Sequence, residues 1–254
     1  MKKIKCGTQL YTFRNKVKTV EDFSEVLAAC STYGCECAQL SGINLNVPRA
    51  ELKKIAEDNG IVIPITHTSF DRIVNETEKV AEEHLELGAH SVGLGMMPGK
   101  YIKNKDSLEE FIEISNRVSG VLKNYGLTFA YHNHNMEFKN MDGKLAIERL
   151  MDGNPDLQFI FDTFWCRYAK HDPVEWIKRL NGRVRDIHLK DWKPSILKLP
   201  RFQDVGKGKL DFSAILSAAE ESGTEFAYIE HDLTSDPFKT TRESMAHLKE
   251  IYLK

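Results

Sequence analysis

No stretch of this sequence is long and apolar enough to span a bilayer as a helix. The start, Met1-Lys2-Lys3-Ile4-Lys5, is charged like the head of a secretory signal, but the apolar run that must follow is missing. The expectation is therefore a cytoplasmic protein with no membrane partner. Cysteine is scarce and odd in number: of the five, only Cys35 and Cys37 lie close together, which argues against a disulfide framework. Buried thiols are the ordinary reading, and a redox or metal role for Cys35-Glu36-Cys37 is the alternative. Charge of one sign is also lacking. Thirty-five Lys and Arg stand against 37 Asp and Glu, a formal charge of -2, so no basic surface points to nucleic acid. No G-x-G-x-x-G follows the first apolar run, and no low-complexity linker divides the chain. Gly206-Lys207-Gly208 reads as a turn leading into Asp211, with a phosphate or hydroxyl contact from its amides as the alternative.

What is present is a repeated unit. Eight apolar runs, Ile4 to Leu10, Glu36 to Leu40, Ile61 to Thr66, His90 to Met96, Leu127 to His132, Leu157 to Asp162, Val184 to Leu189 and Phe226 to Glu230, alternate with helix-like stretches. Most runs are rich in β-branched or aromatic residues without strict alternation, as expected for parallel strands covered on both faces. Between them, Val20 to Tyr33, Ala50 to Asn59, Ile73 to Leu87 and Leu108 to Tyr125 bring apolar residues back every three or four positions. Gly34, Gly60, Gly88, Gly126 and Gly223 follow periodic segments where a left-handed residue closes the last turn. Asp172-Pro173 supplies an N-cap with a first-turn proline, and Ser107 with Glu110 has capping-box spacing. A last helix from Pro237 to about Leu253 reaches the terminus. With 254 residues and 41 % of them hydrophobic, the pattern predicts an α/β fold, a single (β/α)8 TIM barrel domain over residues 1–254. The sequence leaves room for a homo-oligomer without specifying one.

In a barrel of this kind, function sits at the C-terminal strand ends. Those ends read Gln9, Gln39, His67, Met96, His132 with His134, Asp162, His188 and Glu230, and seven of the eight positions are polar. Asp162, His188 and Glu230, with His132, arrive on successive strands at spacings of about one βα unit. Their oxygen and imidazole donors suit one divalent metal ion: Mn, Co, Zn, Fe or Mg. His67 and His134 are candidates to bind substrate or to line the barrel top as satisfied polar residues. Trp165 and Trp192 lie just beyond Asp162 and His188, as packing or as an aromatic wall for a sugar face.

Four phrases then carry a resemblance: Tyr131-His132-Asn133-His134-Asn135-Met136-Glu137-Phe138, Phe161-Asp162-Thr163-Phe164-Trp165, Ile187-His188-Leu189-Lys190-Asp191 and Tyr228-Ile229-Glu230-His231-Asp232. Together with Gly7-Thr8-Gln9-Leu10 and Val205-Gly206-Lys207-Gly208-Lys209-Leu210-Asp211, they resemble the sugar phosphate isomerase/epimerase family of the xylose isomerase-like barrel superfamily, across nearly the whole chain. In the ketose-epimerase branch the metal is held by Glu, Asp, His and Glu from strands five to eight. The resemblance implies Asp162, His188 and Glu230 for the last three ligands. The first departs from the pattern, since His132 stands where that Glu would be. Glu137, five residues later, is taken as the fourth ligand, with His132 beside it as ligand or base. The resemblance implies an isomerase or epimerase of carbohydrate metabolism acting on a small sugar, sugar phosphate or inosose through an enediolate. Glu230 would serve as base on one face and His132 or Glu137 on the other, Lys190 would anchor or polarise a substrate oxygen, and Gln9, His67, His134, Trp165 and Trp192 would contact substrate. A dehydratase or β-eliminating lyase on a keto-sugar or inosose shares these parts and is the alternative. An abasic-site endonuclease shares the barrel but lacks here the extra ligands and the positive face it requires.

Overall fold

A computed structural model describes residues 3–194, 199 and 201–253. Its centre is a sheet of eight parallel strands: β1 Lys5–Gln9, β2 Cys37–Gln39, β3 Ile65–His67, β4 Ser91–Leu94, β5 Thr128–His132, β6 Gln158–Asp162, β7 Asp186–Leu189 and β8 Phe226–Ile229. They hydrogen-bond in the order β2, β1, β8, β7, β6, β5, β4, β3. The bridges Cys37 to Val62 and Leu40 to Thr66, with His67 N donating to Leu40 O at 2.8 Å, bring β2 against β3 and complete the barrel. Every expected run contributes a strand. The third is shortened because Pro64 has no N–H to give to the ladder, so Val62 pairs alone before regular pairing starts at Ile65.

Side chains of period two divide each strand between two environments. Cys37, Ile65, Ala130, Ile160 and Tyr228 form an apolar layer of their own inside the barrel. Two residues further along the same faces come Gln39, His67, His132, Asp162 and Glu230, so the face that is apolar at mid-barrel turns polar at the mouth. The alternate residues, among them Phe129, Tyr131, Phe159, Phe161, Ile187, Leu189, Ala227 and Ile229, are buried in the larger core between barrel and helices. Packing on both faces explains why the runs look continuously apolar in sequence.

The helical ring follows the sequence with two corrections. Val20–Tyr33 opens with a Thr19/Asp22 capping box and closes at Gly34, whose φ of 90° only glycine adopts without strain. The stretch expected as one helix from Ile73 to Leu87 is two, Phe70–Asn75 and Thr77–Leu87. They part at Glu76, where Thr77 Oγ1 donates to Ile73 O at 2.6 Å and the side chain competes for the helical carbonyl. The long helix before β5 starts at Lys105, with its box at Asn104 and Ser107 rather than at Ser107 and Glu110. Asp172 caps its helix by accepting from Val174 N, with Pro173 in the first turn. No described helix is long and apolar enough to cross a membrane. All five cysteines are buried free thiols, and Cys37 sits in the barrel's apolar layer, where burial pushes its pKa well above the ordinary value.

The Gly206-Lys207-Gly208 turn has a specific anchor that the sequence did not single out. The buried Asp191 carboxylate accepts from five backbone amides: Trp192, Gly206, Gly208, Lys209 and Leu210, at 2.7 to 3.1 Å. A Cβ on Gly208 would lie 2.0 Å from Asp191 Oδ1, so the turn closes onto the carboxylate only with glycine there. The amides that sequence reasoning offered to a phosphate are already spent. Asp191→Ala strands these donors, each costing about 1–3 kcal/mol when buried and unpaired, so a stability loss of about 3 kcal/mol or more is expected in urea denaturation. An unchanged midpoint would mean that Asp191 does not hold the turn.

Candidate active site and metal centre

The strand ends deliver His132, Asp162, His188 and Glu230 to one place. All four are buried, and one donor atom from each lies within 4.8 Å of the others. Asp162 closes β6 and also caps the next helix, its Oδ1 accepting from Trp165 N at 2.8 Å, which leaves Oδ2 for the barrel interior. Asn133 Oδ1 accepts from Asp162 N at 3.0 Å and ties β5 to β6 at this level. Thr163 Oγ1 donates to the β7 end and accepts from Lys190 N, fixing the chain that carries His188 and Lys190.

Both imidazoles have their ring protons committed outward. His132 Nδ1 lies 3.1 Å from Gly95 O, a carbonyl that can only accept, so the lone pair is on Nε2, which faces Asp162 Oδ2 at 3.2 Å. His188 Nε2 donates to Gln39 Oε1 at 2.5 Å, leaving the Nδ1 lone pair facing Glu230 Oε2 at 2.7 Å. His188 Nδ1 is buried with no hydrogen-bond partner, and Glu230 Oε2 beside it has only the Lys190 ammonium. In each pair an acceptor faces an acceptor, which a cation between them relieves. Outward N–H bonds that aim an imidazole lone pair inward are the arrangement found around metal-ligating histidines. Charge gives the same answer. Lys190 Nζ lies 3.2 Å from Asp162 Oδ2, 3.1 Å from Glu230 Oε2 and 3.2 Å from Asp232 Oδ2, so three carboxylates face one ammonium. Two negative charges remain, the amount that a divalent ion neutralises. The donor set therefore fits one divalent ion on His132, Asp162, His188 and Glu230.

Burial acts against ionisation of both carboxylates, but the Lys190 ammonium outweighs it, and Glu230 is held well below the usual range. Asp162 is lowered in the same way by Lys190. Burial would lower Lys190 too, yet the three carboxylates raise it, so it stays an ammonium. Burial depresses His188, and it drops His67 well below its ordinary value with help from the neighbouring imidazoles. His134 is pushed down by burial to about 3. These rings are neutral.

A cavity of about 420 Å³ opens above the cluster, lined by Gln9, His67, His132, His134, Trp165, Lys190 and Glu230 together with Tyr11, Arg14, Ser41, Met96, Asp232 and Leu233. It gathers every expected substrate contact except one. Trp192 lies outside the lining, on a two-residue strand paired with Phe202–Gln203, with Arg167 stacked over its ring at 4.7 Å. Glu137 also departs from expectation. Its Oε1 accepts from Tyr131 OH at 2.5 Å and its Oε2 from His134 N at 2.7 Å, so it is fully buried as a brace for the loop after β5, outside the four-donor group. The short turn Met136–Phe138 folds it toward Tyr131, which faces away from the barrel interior. His132, at the strand end itself, supplies the fourth donor. Gln39 and Asp232 were left without roles by the sequence reading. Their signal was the same period-two step that carries His188 to Lys190 and Glu230 to Asp232.

The sequence profile of the xylose isomerase-like TIM barrel family matches residues 27–251. The chain belongs to that family. An inosose dehydratase of Clostridium perfringens is 26 % identical to it over 195 residues, an alignment covering 64 % of this chain and 65 % of that relative. The chain thus spans a little under two thirds of the length of that relative. A sugar phosphate isomerase/epimerase from Parabacteroides distasonis superposes with a TM-score of 0.81 at 23 % identity, over 98 % of this chain and 94 % of that one. The IOLI protein, solved with a bound zinc atom, superposes with a TM-score of 0.74 at 14 % identity, over 98 % and 96 % of the two chains. At these identities the two structures share the family's barrel fold with this chain.

The geometry separates His132 from Glu137 by experiment. His132→Ala is expected to lower bound metal, measured by elemental analysis, at least about tenfold, in line with loss of a ligand. Glu137→Gln is expected to keep its metal while losing about 1–3 kcal/mol of stability, because an amide oxygen can replace only one of the two acceptors that Tyr131 OH and His134 N now use. The reverse pattern of metal loss would return the ligand role to Glu137.

Proposed function

We propose that the protein uses one divalent ion to form an enolate from a small keto-polyol, an inosose or keto-sugar, and that this enolate collapses by expelling a hydroxyl group, a dehydratase reaction. The observation that carries this reading is the placement of the carboxylates that face substrate. Glu230 and Asp232 line the cavity two residues apart, both within 3.2 Å of Lys190 Nζ, while Asp162 is committed below and Glu137 is sealed behind Tyr131. Carboxylates gathered beside one ammonium suit removal of one proton and departure of one oxygen. Removal and return of a proton by two carboxylates on opposite faces would need one across the cavity from this pair, and the described lining holds no other carboxylate. The similarity to inosose dehydratases supports the same choice.

When bound, a divalent ion supplies Lewis acidity toward a carbonyl oxygen. Glu230 takes the proton from the carbon beside that carbonyl, with Gln9 Nε2 3.4 Å from Oε1 to orient it. Lys190 stands 3.1 Å from the base and donates to the departing oxygen. His67 Nε2 and His134 Nδ1 are buried without partners on the cavity wall, and as neutral imidazoles they hold substrate hydroxyls. The indole of Trp165 packs 5.3 Å from His134 and offers an apolar face to the ring.

The isomerase or epimerase reading keeps one specific support. A neutral His134 or His67 across the cavity from Glu230 is also able to return a proton to the opposite face. Incubation of the metal-loaded protein with inososes and keto-sugars in deuterium oxide distinguishes the two. Elimination gives a product lighter by one water, whereas isomerisation gives deuterated sugar of unchanged skeleton formula. Glu230→Gln is expected to lower kcat by about 10²–10⁴ in either case, the usual worth of a positioned base. Unchanged turnover in that variant would overturn the assignment of the base.

A further inference from the structure

The cavity is polar at its floor and apolar at its mouth. Among the described residues the exposed large hydrophobic side chains are Tyr11, Val62, Leu85, Met96, Leu199 and Leu233, and three of these six line this one cavity. Tyr11 is 37 % exposed, Met96 53 % and Leu233 73 %. They come from the segments after β1, β4 and β8, so apolar surface reaches the mouth from different sides of the barrel. Apolar side chains that stay wet around a binding cleft mark a surface that a ligand covers.

The cations of the cavity point the same way. Arg14 stacks on the Tyr11 ring at 4.0 Å, and its guanidinium donates to Tyr11 O at 2.8 Å and to Asp232 O at 2.7 Å. Lys190 is surrounded by three carboxylates. The amides of the Gly206-Lys207-Gly208 turn, the other candidate for an anion, are bound to Asp191. Lys190 is neutralised by its carboxylates, the turn amides are engaged, and the floor carries excess negative charge that a divalent ion only brings to balance. Among the described residues of the lining a phosphate dianion finds one guanidinium, Arg14, already donating to two backbone carbonyls, and no second uncompensated cation to form a clamp.

We infer that the substrate is an unphosphorylated keto-sugar carrying an apolar substituent, a glycoside with an aromatic or aliphatic aglycone. Its ring lies over Glu230, and its aglycone lies between Tyr11, Met96 and Leu233. A cavity of about 420 Å³ falls within the range that encloses drug-sized ligands, which leaves space for a ring and a substituent together. This assignment rests on the keto-polyol reading above, but it is tested by binding rather than by turnover.

The test is calorimetric titration of the purified metal-loaded protein with the methyl and phenyl glycosides of one aldohexose oxidised to a ketone at a ring carbon other than the anomeric one, and with the 6-phosphate of the methyl glycoside. The phenyl glycoside is expected to bind about tenfold tighter than the methyl glycoside, from burial of the additional apolar surface, and the phosphate no tighter than its parent. The double substitution Met96→Ser, Leu233→Ser is expected to reduce the phenyl preference to about threefold or less. Glu230→Gln is expected to retain the preference even with turnover lowered, which separates a wrong substrate class from a wrong base. Equal affinity for the two glycosides would overturn the inference, as would tighter binding of the phosphate or loss of the preference in Glu230→Gln. It would also fall if sedimentation showed a dimer that the double variant dissociates, because the mouth would then be covered by a second copy of the chain.

Discussion

Burial at the barrel mouth penalises the charges of Asp162 and Glu230, and the Lys190 ammonium, 3.2 and 3.1 Å away, is what keeps both ionised. The rest of the site depends on this contact. Two ionised carboxylates stand opposite two imidazoles whose outward ring nitrogens are already bonded, so lone pairs converge on one point. Such a set is unfavourable in a water-poor cavity unless a cation occupies it. Lys190 supplies one charge and leaves two uncompensated once Asp232 is included. The site is thus prepared for a divalent ion by the balance of its own charges, and Glu230 keeps its ionised form despite its burial.

The fold places this arrangement through one geometric rule. Side chains of period two put Ala130 and His132, Ile160 and Asp162, and Tyr228 and Glu230 on the same inward faces, so an apolar layer supports the polar one directly. The floor excludes water from beneath, and the buried network of Asn133, Thr163, Gln39 and Gly95 fixes the orientation of each donor. Stability and function are arranged in successive layers of the same strands.

Much of this was legible in the sequence, for physical reasons that also mark where legibility stops. Strands buried on both faces announce themselves as apolar runs, and polar residues at their ends stand out because the environment changes there. Asp162, His188 and Glu230 were visible in that way. Spacing could not place Glu137, which lies beyond the strand, where neither period two nor period 3.6 tells which way a side chain turns, and its partner Tyr131 faces out of the barrel. Trp192 could not be placed for the same reason, since a short hairpin carries it toward Arg167. The break at Glu76 and the anchoring of the Gly206 turn by Asp191 depend on contacts between segments, which spacing along one chain does not encode.

The central claim is that His132, Asp162, His188 and Glu230 form one metal centre. X-ray absorption at the edge of the metal bound by the purified protein tests it most directly. The account predicts one divalent ion per chain in a shell of two imidazole nitrogens and carboxylate oxygens, with no sulfur. A shell containing cysteine sulfur, or one with a single imidazole, would contradict it.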